Sequence, residues 1–191
     1  GSSPGGPTKF SKIKVIKNNI NLGLTKSLIL AIDMASGIYI ARQDADDFSN
    51  TSRILEQVEY LDKNKDIILL GTGYTVIHKN LGLVEEYFPF FHHDDLLKQM
   101  FKINPFCHSS VMFRKKAYYQ AGGYNPDFIT SQDFDLWFRL LDYGKFSSLG
   151  ENLVTRNITD RSLSSNLGKA LQQVKNGLFV RLRERKRLTN I

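Results

Sequence analysis

The sequence is poor in cysteine: one thiol, Cys107, in 191 residues. That excludes an intramolecular disulfide and any cysteine-rich zinc site, and a reducing, cytoplasmic compartment is the simplest setting. Long apolar runs are lacking too. Runs such as Ile67–Leu70 are strand-sized, and none approaches the roughly 20 residues of a membrane-spanning helix. No basic-then-apolar leader pattern opens the chain. No proline- or glycine-rich linker divides the interior and no repeat is visible, so a second domain is not expected. No glycine-rich phosphate loop stands near the start, which argues against a sugar-nucleotide synthesising enzyme.

What is present is ordinary for a globular protein: 41% hydrophobic, 24% charged and 12% aromatic residues. The net charge of +7 is unevenly placed. Arg181–Arg187 (RLRERKR) holds five bases and one acid, and the remainder is only about +3. This basic tail reads as a solvated helix face or as a contact for an anionic membrane surface. Nucleic acid is not expected as a partner, because no stacking motif of an RNA-binding sheet accompanies it.

Strand and helix patterns alternate. Ile13–Ile16 reads as a short strand. A helix is expected from Thr25, as N-cap, to about Ser36, with Leu28, Ile32 and Ala35 on one face and Gly37 ending it. Ile38–Ala41 is a second strand. A helix over Ser52–Asn64 shows Ile54, Val58 and Leu61 on one face. Ile67–Leu70 suits a strand covered on both sides, with Thr75–His78 continuing it. A helix over Asp94–Lys102, a strand at His108–Phe113, a short helix from Lys115 to Ala121, a helix from Gln132 to Tyr143 with Ser131 as N-cap, a strand over Lys145–Ile158 and a helix over Leu167–Leu188 follow. The alternation argues α/β with a mostly parallel sheet. His92 and His93 read as solvated helix-start residues, since neighbours on an extended segment point opposite ways.

The chemistry concentrates at Asp44, Asp46 and Asp47, just after a predicted strand. Carboxylates this close repel one another and call for compensation, and hard oxygen ligands suit Mg2+ or Mn2+. Ligands of open α/β sheets bind at the carboxyl ends of strands, so a metal here could hold a diphosphate. The plainer alternative is a solvated acidic turn in which Asp47 caps the next helix.

Four segments in order resemble the inverting GT-A glycosyltransferases of family 2: Asn21-Leu22-Gly23-Leu24, Tyr39-Ile40-Ala41-Arg42 with Asp44-Ala45-Asp46-Asp47, Asn104–Ser110 followed by Gly122-Gly123-Tyr124, and Gln132–Arg139 (QDFDLWFR). The resemblance implies a GT-A, Rossmann-like mixed sheet flanked by helices, and metal-dependent, inverting transfer of a sugar from a nucleotide-sugar, usually UDP-linked, to a glycan or lipid-linked acceptor. It implies that Asn21, Gly23, Asp44 and Asp46 hold the donor, with Asp46 as direct metal ligand and Asp44 as ribose or water-mediated contact. Asp133 becomes the catalytic base. Its place in the first turn of a helix favours the carboxylate. His108 and Trp137 fall on the acceptor side, where each has core packing as its alternative role.

Three departures accompany the match. Gln132 replaces the usual Glu before the base, Ile158 lies where relatives often carry a metal-binding His, and Ile29 stands at a common Asn position. Nothing matches the family's opening strand and nucleotide-binding loop, so the chain is expected to be N-terminally incomplete. The division expected is a tag or loop remnant over 1–12, a GT-A-like catalytic domain over 13–165 and a basic C-terminal helix over 166–191. A basic helix against lipid would put the protein at the inner face of a membrane. The competing reading is a non-catalytic GT-A-like fragment or binding module.

Overall fold

In this computed structural model, residues 13–89, 92–158 and 167–189 are described. The expected remnant over 1–12 and the boundary at 165 and 166 lie outside them. The elements run α1 (Gly23–Met34), β1 (Tyr39–Ala41), β2 (Phe48–Ser49), α2 (Arg53–Lys63), β3 (Ile67–His78), β4 (Leu83–Tyr87), α3 (His93–Met100), a 3-10 turn at His108–Ser110, β5 (Met112–Arg114), α4 (Lys115–Gln120), α5 (Gln132–Leu140), a 3-10 turn at Leu141–Tyr143, β6 (Lys145–Ile158) and α6 (Leu167–Thr189).

The strands form one curled sheet in the order β1-β5-β3-β6-β2, with β4 paired to the far half of β3. Only β3 and β6 pair in parallel, and β1–β5, β3–β5, β3–β4 and β2–β6 are antiparallel. The sheet is therefore mixed, and the mostly parallel sheet read from strand–helix alternation is corrected. Alternation records order along the chain, whereas β5 slots antiparallel between β1 and β3. The β3–β6 ladder is irregular around Gly73. At Gly71 a Cβ would lie 2.6 Å from the Phe106 ring, so only glycine lets this ring close over β3.

One apolar core fills the space between the sheet and α4 and α5, around Phe113, Tyr118, Trp137, Phe138 and Phe146. Edge-to-face contacts link Phe106 to Trp137 and to Phe146. A smaller cluster of Leu61, Ile67, Leu70 and Met112 lies under α2.

Several local expectations are corrected. Residues 13–16 form no strand: they meet no ladder partner, and Ile13 and Val15 are exposed. Thr25 does not cap α1. It lies buried in the first turn and donates to the Phe128 carbonyl at 2.7 Å, while Asn21 Oδ1 accepts from the Gly23 amide at 3.0 Å. The helix ends at Met34 with Ala35 extended, before Gly37. Residues 108–110 form a 3-10 turn, and the strand begins only at Met112. Ser131 is left-handed at φ 60° and makes no cap bond; its hydroxyl donates to the Gln173 carbonyl of α6. In α2 the buried residues are Arg53, Gln57 and Leu61, and Ile54 faces solvent. His93 is half-buried: its Nδ1 accepts from the Phe146 amide at 3.1 Å, and its ring meets the Phe146 ring edge-on.

Candidate active site

The acidic loop hangs from the end of β1. Arg42, the next residue, is buried, and its guanidinium spreads over the loop. One amino group donates to Ser109 Oγ at 2.8 Å and the other pairs with Asp44 Oδ1. Ser109 Oγ also accepts from the Asp44 amide at 3.1 Å. The far side of the loop is tied to β6, where the Asn157 amide donates to Asp47 Oδ1 at 3.2 Å and Asn157 Nδ2 to the Asp46 carbonyl at 2.7 Å. The loop is thereby clamped between β1, the 108–110 turn and β6.

This clamping brings carboxylate oxygens of Asp44, Asp46 and Asp47 within 4.8 Å of one another. Asp46 is exposed, Asp44 half-exposed and Asp47 buried. Asp47 Oδ2 is buried without a hydrogen-bond partner. Burial pushes the Asp47 carboxyl above the usual range, and the charges of Asp44 and Asp46 push the same way, against hydrogen bonds from Ser109 and Asn157. Three hard oxygen donors, one of them an orphaned buried oxygen, fit a Mg2+ or Mn2+ ion. Asp47 thus belongs to the cluster and is no mere helix cap.

Asp133 stands in the first turn of α5, and its Oδ2 accepts from Asn104 Nδ2 at 2.8 Å. Burial raises its pKa. The Phe134 amide, Asn104 and the Arg42 charge oppose that without cancelling it. The helix N-terminus therefore does not decide its ionisation, contrary to the reading from position alone. Beside it, Tyr124 OH lies 2.7 Å from His108 Nε2. Burial, with the Arg42 charge, drives His108 well below the ordinary imidazole value and keeps it neutral. Trp137 is 0% exposed and packs edge-on against Phe106, Phe113 and His108. The stacking role against an acceptor sugar is corrected to core packing beneath His108, since no indole face is open.

Asp44 and Asp133 are thus linked through Arg42, which pairs with the first and acts electrostatically on the second, while Asp46 joins Asp44 in the carboxylate cluster. Asn21 and Gly23 are not drawn in. They sit exposed at the start of α1, and their hydrogen bonds among the described residues stay local to that turn. Reading the sequence missed Arg42, Asn104 and Tyr124 as site residues, although each lies inside a segment that carries the family pattern.

Residues 7–122 match Glycosyl transferase family 2. The chain belongs to this family. The uncharacterized glycosyltransferase MJ1057 of Methanocaldococcus jannaschii is 35% identical over 156 residues, 80% of this chain and 53% of that protein. The O-antigen biosynthesis glycosyltransferase WbnJ of Escherichia coli is 31% identical over 142 residues, 73% of this chain and 55% of that protein. The chain spans about half the length of these curated relatives. Among solved structures, S. aureus TarS in complex with UDP-GlcNAc superposes with a TM-score of 0.57 at 15% identity, over 73% of this chain and 40% of that one. That likeness establishes the GT-A fold.

Proposed function

We propose that this chain carries the catalytic part of a metal-dependent, inverting glycosyltransferase. The donor is a nucleotide-sugar, a UDP-sugar, and the acceptor is a hydroxyl of a glycan or lipid-linked glycan in cytoplasmic polysaccharide biosynthesis. The observation that carries the reading is the convergence of Asp44, Asp46 and Asp47 within 4.8 Å at the end of β1, with one buried oxygen unpartnered. The sequence relatives named for glycosyl transfer, and TarS with its UDP-GlcNAc, support the donor class.

Asp44, Asp46 and Asp47 would hold Mg2+ or Mn2+. Bound there, the ion supplies positive charge to the leaving diphosphate. Arg42 neutralises part of the acidic cluster and keeps its geometry. Asp133 takes the proton from the acceptor hydroxyl as that oxygen bonds to the anomeric carbon. The bond from that carbon to the diphosphate oxygen breaks on the opposite face, and the configuration inverts. A raised pKa makes Asp133 a stronger base than an ordinary carboxylate, while Asn104 fixes the oxygen that receives no proton. The work of residues 13–165 is then catalysis, with the basic helix appended.

The test is calorimetry with UDP, with and without Mn2+, paired with a transfer assay. Metal-dependent UDP binding and turnover are expected, and UDP binding indifferent to metal would overturn the metal assignment. A second reading, a GT-A-like module that binds without turnover, is favoured by one observation: Asp44 already has Arg42 as its counter-ion. It predicts UDP binding with no transfer to any acceptor.

A further inference from the structure

Helix α6 has two working faces. One is fixed to the body of the protein: Val180 is fully buried, Asn176 Nδ2 donates to the Thr130 carbonyl at 3.1 Å, and Arg183 reaches Asp135 at 2.8 Å. On the opposite side, Leu167, Leu171, Val174, Leu178 and Leu182 recur at three- and four-residue spacing and form one stripe. Their exposures run from 49% to 75%, which isolated surface leucines do not explain.

The charges decide what covers this stripe. The helix carries seven bases and one acid. The acid, Glu184, is buried and engaged by Arg183 and Arg187, and those two arginines are turned to Asp135 and Asp142. Counted along its sequence, the helix thus carries a net charge of +6. A second copy laid against the stripe would oppose cation to cation. An anionic bilayer surface offers the complement: acyl chains for the leucines and headgroup phosphates for flanking lysine and arginine.

We propose that α6 is an in-plane membrane anchor whose leucine stripe enters the interface of an anionic bilayer. The docking is independent of the transfer reaction proposed above. It requires no insertion across the membrane, and no described helix is long and apolar enough to cross one.

The experiment is flotation of the chain with phosphatidylcholine vesicles, alone or with roughly 30% phosphatidylglycerol. Binding to the anionic vesicles is expected to exceed binding to neutral ones about tenfold and to weaken as salt approaches about 0.5 M. Leu171→Gln with Leu178→Gln should lose about tenfold of it at unchanged melting temperature. Should that pair lower the melting temperature, Leu167→Gln, at the most exposed position of the stripe, replaces it. Absence of vesicle binding, equal binding to both compositions, or binding indifferent to the leucine substitutions overturns the proposal. So does a dimer in sedimentation that the same substitutions dissociate, because the stripe then belongs to a second copy.

Discussion

Asp133 stands in opposing fields, and the balance sets two measurable signs. Its pKa is raised, with burial as the leading cause. The protonated form is useless as a base, so turnover is expected to fall on acidification through a pKa above the ordinary 3.8. Stability runs the other way. Between the unfolded and folded pKa values the native state holds more proton, so stability drops as pH rises through that window. Asp133→Asn should therefore cut turnover on the order of 10²–10⁴. It should also raise the melting temperature at pH 7, a gain that fades as the pH falls below the ordinary carboxyl value of 3.8, where Asp133 is protonated in both states. Calorimetry alongside the transfer assay checks both, and a lowered melting temperature would assign Asp133 to structure. Asp46 is exposed, so Asp46→Asn should abolish Mn2+-dependent UDP binding in calorimetry without moving the melting temperature. Because protons compete for the raised carboxyl of Asp47, Mn2+ affinity of the wild type should weaken as pH falls.

At the scale of elements, α2 shows what the sequence could and could not convey. Its bounds were legible, as were those of β6 and α6, because caps and periodicity are local. Its buried face was legible only in part: Val58 and Leu61 pack inward as read, and Ile54 does not. Ile54, Val58 and Leu61 make the better apolar stripe, yet the helix turns Arg53 and Gln57 inward. The reason lies in the strand ends beneath the acidic loop, which present carbonyls to a dry interior. Arg53 donates to the carbonyls of Arg42 and Val111 at 2.8 and 3.3 Å, and Gln57 to those of Leu70 and Ser110 at 3.1 and 2.9 Å. Such acceptors exist only once three strands converge, so no window of sequence displays them. Burial even lowers the Arg53 pKa to about 10, which leaves it charged at neutral pH. Arg53→Met should cost about 2–4 kcal/mol in urea unfolding, since carbonyls left buried and unpaired are expensive. Asp44, Asp46, Asp47 and Asp133 were legible as residues. The tie of Asp44 to Arg42 and Ser109 was not, because Ser109 lies 65 residues from Asp44 along the chain.

At the scale of the whole molecule, α6 is held by charge as much as by packing. Asp135 is almost fully buried and is bridged by Arg139 at 2.7 Å and Arg183 at 2.8 Å. Asp135→Ala would leave both arginines uncompensated and should cost about 3–5 kcal/mol, with amide protection lost first along α6 in hydrogen exchange. The outer pair of Arg187 and Asp142 is half-exposed, so Asp142→Ala should cost under about 1 kcal/mol in the same unfolding measurement. Equal costs for the two substitutions would mean that burial is not what separates them.

The sheet also dictates an order of events. Among the described strands only β3 and β4 are joined by a hairpin, and the longest ladder joins β3 to β6, whose partners lie about eighty residues apart. Loop closure must precede the reward, so the β3–β6 pairing cannot nucleate folding locally. On a ribosome, β3 emerges with its apolar side chains and one hydrogen-bonding edge bare and waits for nearly half the chain before β6 arrives. Nascent chains stopped before Lys145 should be the aggregation-prone, chaperone-bound species of this protein.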